Sequence, residues 1–321
     1  MPRQAARAAA APGRKRGAAE GIVAREGGNS VIRLPFLVTA VALTCAGSSA
    51  PAKQLLQPFV VAHRGAGKLA PENTLAAIRK AIELGVDFVE LDVRTTADGE
   101  LVLMHDRTVD RTTDGSGAVS ELTAADIATL DAGSKFAADY AGARVPTLAA
   151  ALDLCRGKVG VYLDIKDASL ARVIEMLRER VIVEQALAYC GPEDAMEIKR
   201  VEPRLAIMPG PGSWLRVKGV AEAVARSLRA EYLDSHLLDW TADAVREAHR
   251  AGAQVCVDIM GATDNEEGMR RAVDLGADGI QTDRPDILLR LLGRAARKAV
   301  NPGSLDRRGR REDEHGDEQQ P

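Results

Sequence analysis

Residues 60–105 read VVAHRGAGKLAPENTLAAIRKAIELGVDFVELDVRTTADGELVLMH, and the punctuation of this stretch decides the fold. The apolar run from Phe59 stops at His63, Arg64 and Gly65. A second apolar segment, from Phe88, carries Glu90 and Asp92, and a third, from Glu100, ends on His105 and Asp106. Side chains alternate across a strand, so Glu90 and Asp92 point to one face and set two carboxylates side by side. Between the first two segments, Pro71-Glu72-Asn73-Thr74 leads into LAAIRKAIELG, apolar at Leu75, Ile78 and Ile82 and helical by spacing. Asn73 or Thr74 supplies the N-cap, and Gly85 ends the helix. Strand, helix and strand in such close order favour a parallel pair. In parallel α/β sheets ligands bind at the C-terminal strand ends, where the polar groups of this stretch fall.

Beyond His105 the pattern breaks until Pro146. RTVDRTTDGSG is rich in turn residues, with a tight turn over residues 114–117, and SELTAADIATLDAG offers a short helix capped by Thr123 against Asp126. This segment is an insertion over about residues 107–145, either a lid above the site or a passive surface excursion. From Thr147 alternation returns. Helices are predicted over residues 147–156, 169–180, 192–201, 217–228, 241–252, 266–275 and 285–298. Strands are predicted at 160–166, 181–187 and 231–235, and from Arg204, Gln254 and Gly279. With Phe59 and Phe88 as further strand starts, about eight βα units result. The economical fold is a (β/α)8 TIM barrel over residues 53–298, with a small inserted subdomain after the second strand. The sequence contains no GxGxxG, P-loop or GxSxG element.

Apolar residues make up 46% of the 321 and charged ones 28%, ordinary for a soluble globular protein, while aromatics at 3% are too scarce for base-stacking platforms. A net charge of -3 and a pI near 6.0 give no global pull toward nucleic acid or anionic lipid, so anion handling is local. Residues 1–52 read as a leader with a signal peptide. LPFLVTAVALTCA at 34–46 is too short to span a bilayer, follows Arg33 and precedes small residues. Ala50-Pro51-Ala52 fits a cleavage site that leaves Lys53 first, so export to the periplasm or the medium is expected, without stable membrane insertion afterwards. Lipidation at Cys45 ranks below simple cleavage. Residues 1–30 lack periodicity, and initiation near Val31 is the expectation; an organelle transit peptide is the lesser reading. Residues 299–321 are charged and poor in apolar residues, a disordered tail in which His315 is inert. Cys155, Cys190 and Cys256 show no zinc spacing; buried free thiols are the first reading and one disulfide the second.

The polar residues fit phosphodiester chemistry. Such a substrate is anionic, so its catalyst needs cations on the nonbridging oxygens and an acid and a base on opposite sides of phosphorus. Arg64 can fork onto two phosphate oxygens, and Lys166 adds a point charge. Asp164 shares a strand face with Lys166 and can join Glu90 and Asp92. Three carboxylates without cysteine suit a hard ion, Mg²⁺ or Ca²⁺. His63 and His105 are the candidate acid–base pair, with the two roles unassigned. Each residue also has a plainer reading. The histidines could be hydrogen-bonded rim residues, and the carboxylates could close the barrel mouth as ion pairs with Arg94, Arg64 and Lys166. Glu72 could serve only a first helical turn, and His236 and His249 read as structural. Convergence on three strand ends favours the catalytic reading.

The segment from His63 to Gly133, carrying His-Arg-Gly, Pro-Glu-Asn-Thr, Glu-Leu-Asp and His-Asp in that order, resembles the glycerophosphodiester phosphodiesterase family. The resemblance extends from about residue 59 to 292. It implies a TIM barrel with an insertion after the second strand, one divalent cation, and hydrolysis of glycerophosphodiesters to an alcohol and sn-glycerol 3-phosphate. By position, His63 and His105 match the catalytic histidines, Arg64 and Lys166 the phosphate contacts, and Glu90, Asp92 and Asp164 the metal ligands. GIQTDRPD from Gly279 matches the last strand and turn. Two departures stand out. The third carboxylate is often Glu in the family and is the shorter Asp164 here. VCVDI at 255–259 replaces a frequent Trp-Thr-Val-Asn, so the indole that the resemblance implies on the pocket wall beside the glycerol moiety is missing, and Asp258 is the candidate for a polar role there. The expected substrates are small deacylated phospholipids such as glycerophosphocholine or glycerophosphoethanolamine. The alternatives are a phospholipase of the sphingomyelinase D-like or phosphatidylinositol-specific type, and a catalytically silent barrel that binds phosphodiesters.

Overall fold

The first strand, β1 (Phe59–Ala62), lies parallel to β2 (Phe88–Thr95), with Val61 opposite Phe88. The computed structural model describes residues 57–294, so the leader, the cleavage site, Cys45 and the tail fall outside the described residues. Helix α1 (Leu75–Leu84) connects the two strands and buries Ala77, Ile78 and Ala81 against them. Burying one side chain of the size of Ile78 contributes about 2 kcal/mol. Thr74 is the cap, its hydroxyl accepting from the Ala77 N–H at 3.3 Å, and Gly85 stops the helix at φ 78°. Asn73 has a different partner, given below.

Strand β3 (Leu101–Leu103) is not a barrel stave. It runs antiparallel to β2, Val93 opposite Leu103, so the hairpin carries the chain back toward the mouth. The Met104 N–H bonds to the Asp92 carbonyl at 3.0 Å, which sets His105 at the level of the β2 carboxylates. The insertion then builds a small core of its own from Val102, Met104, Val109, Val119, Ile127 and Val145. Its helix α2 (Ala124–Ala128) has a full capping box between Thr123 and Asp126.

The remaining units alternate as predicted: α3 (Leu148–Cys155), β4 (Gly160–Ile165), α4 (Leu170–Glu179), β5 (Ala186–Cys190), α5 (Pro192–Val201) and β6 (Ala206–Pro209). They continue through α6 (Val220–Leu228), β7 (Tyr232–His236), α7 (Ala242–Ala251), β8 (Gln254–Asp258), α8 (Glu266–Leu275), β9 (Gly279–Thr282) and α9 (Pro285–Leu291). Two boundaries differ from expectation by more than three residues. The strand predicted at 181–187 begins only at Ala186, because Val181 takes φ 55° and ends α4, while Ile182 and Val183 are buried beneath it as a turn. Their apolar character reflects packing rather than extension. The last helix stops at Leu291 because Gly293 turns left-handed at φ 66° and Arg294 swings onto Asp87 at 2.6 Å.

The parallel strands are ordered β6-β5-β4-β2-β1-β9-β8-β7, which wraps the sheet into a nearly closed barrel. Among the described residues no backbone ladder joins β6 to β7. Side chains span this seam instead: the Ile207 N–H donates to the Glu231 carboxylate at 3.1 Å, and the Gly212 N–H to the Ser235 hydroxyl at 2.9 Å. At the N-terminal end the interior is plugged by the rings of Phe59, Phe88 and Tyr232, packed edge to face at 5.4 and 5.9 Å. Gly160 and Gly279 make room for them, since a Cβ there would lie 2.4 Å from the Phe88 ring and 2.1 Å from the Phe59 ring. The C-terminal end, left unplugged, is lined by polar side chains. Cys155, Cys190 and Cys256 are free and buried, and burial pushes the Cys155 and Cys190 thiols up to about 12. Among the described residues no helix is long and apolar enough to cross a membrane.

Candidate active site

Two turns at the barrel mouth carry non-glycine residues in left-handed conformation, Arg64 at φ 53° and Asn73 at φ 55°. Such geometry costs about 1 kcal/mol or more per residue and persists only where neighbours enforce it. Here Glu90 does so: its carboxylate accepts the Arg64 N–H at 2.7 Å, and its carbonyl accepts the Gly65 N–H at 3.0 Å. Gly65 itself has no room for a side chain, since a Cβ would lie 2.8 Å from that of Ala77. Asn73 grips Asp92 twice, donating its amide to the carboxylate at 2.8 Å and accepting the Asp92 N–H at 3.2 Å. His-Arg-Gly and Pro-Glu-Asn-Thr are thus the two loops that β2 holds in place.

The predicted carboxylates converge. Asp92 and Asp164 are register partners on β2 and β4, and oxygens of Glu90, Asp92 and Asp164 lie within 4.8 Å of one another. Burial, and next the charge of Asp92, push Glu90 well above its usual pKa. Lys166 lies 3.1 Å from Asp92 and 2.5 Å from Asp164. Burial opposes its ammonium, but the hydrogen bond to Asp164 and the charge of Asp92 outweigh that and raise its pKa. One lysine does not balance three acids. An all-oxygen donor set with this surplus of negative charge fits a hard divalent cation. Asp164, although shorter than Glu, still brings an oxygen into the cluster. The plainer ion-pair reading holds only in part: Arg64 comes to 3.6 Å of Asp92, whereas Arg94 turns away to Asp167 and the His105 carbonyl.

Both histidines face carboxylates. His63 Nδ1 lies 2.8 Å from Asp283, and its Nε2 accepts the Arg64 Nε–H at 3.2 Å. That bond requires a lone pair on Nε2, so Nδ1 carries the proton and donates it to Asp283. Asp283 is held in turn by Asp264, which accepts its N–H at 2.7 Å. Burial alone would raise Asp283, but the hydrogen bond from His63 and the positive charges around the carboxylate, Lys68 and Arg64 among them, outweigh it and set its pKa below the ordinary value. His105 Nδ1 lies 2.7 Å from Asp106. Arg111, from the insertion, binds Asp106 at 2.6 Å and Glu72 at 2.7 Å, and Glu72 also accepts from Arg64 at 2.9 Å. An unbroken polar chain therefore links His105 to Arg64. Hydrogen bonds from Arg111 and His105 hold Asp106 well below the carboxylate range.

Asp283, Asp106 and Arg111 had no assigned role in the sequence, and Glu72 had only that of a first helical turn. Asp283 was accessible to the strand-end rule, and Asp106 adjoins a marked histidine; Arg111, in an irregular loop, carries no such signal. Glu72 belongs to the turn before the helix rather than to its first turn. His236, at the end of β7, bonds the Leu238 N–H at 3.2 Å, and His249 pairs with Asp278 at 2.7 Å, both structural contacts. All seven predicted site residues line one cavity of about 290 Å³.

The sequence of residues 63–208 matches the profile of the glycerophosphoryl diester phosphodiesterase family. A glycerophosphodiester phosphodiesterase from Caldanaerobacter subterraneus subsp. tengcongensis is 35% identical over 251 residues, covering 74% of this chain and 98% of that one. The chain belongs to the glycerophosphoryl diester phosphodiesterase family. Among solved structures, the family enzyme from Agrobacterium tumefaciens is 32% identical with a TM-score of 0.65, over 73% of this chain and 99% of its own. A phosphodiesterase from Oleispira antarctica, solved with its product sn-glycerol-3-phosphate, is 26% identical with a TM-score of 0.67, over 74% and 97%. The matched family segment contains His63, Arg64, Glu90, Asp92, His105, Asp164 and Lys166. Asp283, the partner of His63, lies beyond it in this phosphodiesterase, on the far side of barrel closure.

Proposed function

We propose that the chain hydrolyses glycerophosphodiesters to an alcohol and sn-glycerol 3-phosphate. The observation that carries this is the convergence of two carboxylate-backed histidines, Arg64, Lys166 and three acids on one cavity. The Arg64 guanidinium and the Lys166 ammonium take the nonbridging phosphate oxygens. As the phosphate draws the Arg64 guanidinium to itself, the Nε2 lone pair of His63 that accepts from Arg64 is freed. It removes the proton from the attacking hydroxyl, and Asp283 stabilises the imidazolium that forms. His105, backed by Asp106, delivers a proton to the leaving oxygen. Glu90, Asp92 and Asp164 would hold Mg²⁺ or Ca²⁺, which when bound would neutralise the acids and supply Lewis-acid polarisation to the phosphoryl group. The neighbouring glycerol hydroxyl is the attacking group, so a cyclic phosphate forms first and water opens it.

Release of sn-glycerol 3-phosphate from glycerophosphocholine by protein beginning at Lys53 tests the reading. The sample is stripped with EDTA and supplied with either ion. Cation-dependent release is the expected result. A folded sample that releases nothing with either ion overturns it.

A further inference from the structure

On the other side of β1 from β2 and β4, strands β9, β8 and β7 contribute Gln281, Asp258 and Asp234 to the cavity. Asp234 and Gln281 are 5% and 6% exposed, and one oxygen of each, Asp234 Oδ1 and Gln281 Oε1, has no hydrogen-bond partner. Buried polar atoms in folded proteins are rarely left so, and two on one cavity wall mark a place for donors. The other Asp234 oxygen accepts from the Tyr162 hydroxyl at 3.2 Å, and Asp258 accepts the Met260 N–H at 2.7 Å. Asp258 and Gln281 are register partners, so the acceptors are contiguous. Among the described residues no lysine or arginine pairs with Asp234 or Asp258. The rings of Tyr162 and Tyr189, 6.2 Å apart, flank the same wall.

The charges of the cavity fall into separate groups. Glu90, Asp92 and Asp164 answer a divalent cation, and Arg64 and Lys166 answer the phosphate. Asp234 and Asp258 remain: among the described residues no lysine or arginine pairs with them, and the basic groups that act on Asp258 are the imidazoles of His63 and His236. A glycerol group would satisfy the orphan oxygens but bring no charge. A primary ammonium brings three N–H donors and a positive charge that offsets the burial raising both Asp234 and Asp258 and the repulsion of Asp234 by Asp258. A quaternary ammonium has the charge and the affinity for tyrosine faces but no donor.

Resting on the phosphodiesterase reading above, we propose that Asp234, Asp258 and Gln281 form a head-group subsite selective for a primary ammonium, as in glycerophosphoethanolamine. VCVDI, in place of the frequent family sequence, is what sets Asp258 in that wall. Asp234 and Gln281 complete it from the flanking strands.

The test compares kcat/KM for glycerophosphoethanolamine, glycerophosphocholine and the neutral glycerophosphoglycerol on the cation-loaded enzyme, and then on Asp258→Asn. The ethanolamine diester is expected to exceed both others by about tenfold or more, as for sites built around a substrate N–H. Asp258→Asn is expected to reduce the ratio of the ethanolamine to the glycerol diester by a similar factor. Asp258 is less buried than Asp234, and the wild-type comparison needs no variant to fold. Equal rates on all three diesters, or a ratio that Asp258→Asn does not change, overturn the subsite and leave the phosphodiesterase reading intact. Hydrolysis of none of the three removes that reading, and the subsite with it.

Discussion

Asp283 Oδ1 lies 2.8 Å from His63 Nδ1 although 220 positions of chain separate them. The contact exists because β9 closes the barrel against β1, with Ala62 opposite Thr282. It fixes which imidazole nitrogen faces the cavity.

Replacing Asp283 with Asn keeps the volume and loses the charge that holds this tautomer. The expected result is a kcat lower by up to about a hundredfold, the scale of a misoriented catalytic group, with KM changed far less. Steady-state kinetics alongside a melting curve check it. A variant that melts early but keeps kcat would mean that Asp283 only braces the barrel.

Arg111 ties Asp106 to Glu72, and through Glu72 it ties the insertion to Arg64. Arg111→Ala should lower kcat/KM about tenfold, the scale of losing charged hydrogen bonds, with effects on both KM and kcat because both ends of the chain reach the cavity. If both parameters stay within experimental error, the insertion is a surface excursion and not a working part of the mouth.

The acid cluster gives an expectation that needs no turnover. A cation that binds only the folded chain stabilises it by about 2.7 kcal/mol at a hundred times its Kd. Mg²⁺ or Ca²⁺ should therefore raise the melting temperature of EDTA-treated protein, and Glu90→Gln should abolish most of the rise. A melting curve indifferent to both ions would remove Glu90, Asp92 and Asp164 as a cation site.

Burial, followed by the charge of Asp258, pushes Asp234 up to about 7 in the fold, against 3.8 for an ordinary aspartate. Between those values the folded chain holds a proton that the unfolded chain has lost. Stability from this group therefore declines as pH rises from about 4 to about 7 and is flat above. Asn does not titrate, so the melting temperature of Asp234→Asn relative to wild type should climb between pH 5 and pH 8. A constant difference across that range would show Asp234 to be ionised throughout.

Much of the site was legible because a strand's face is fixed by counting in twos. Glu90 with Asp92, and Asp164 with Lys166, could be paired from sequence alone, and the strand register then sets Asp92 beside Asp164. Contacts made by barrel closure were not legible in that way. The partnership of Asp283 with His63, and the acceptor wall of Asp234, Asp258 and Gln281, depend on which strands become neighbours at the far side. Local backbone strain was hidden as well. Asn73 looked like a helix cap, and only its left-handed turn shows that it reaches Asp92 instead. Arg111 comes from a loop without period, so nothing in its spacing could place it.

The seam between β6 and β7 also has a meaning for molecules in a crowd. Strand edges without a ladder are templates onto which a second chain can add a strand. Glu231 occupies the Ile207 N–H at this edge and is itself clamped by Lys199 at 2.6 Å, while Pro209 ends β6 with no N–H to offer. The side chains that span the seam within one molecule are thus also its guard against sheet growth between molecules.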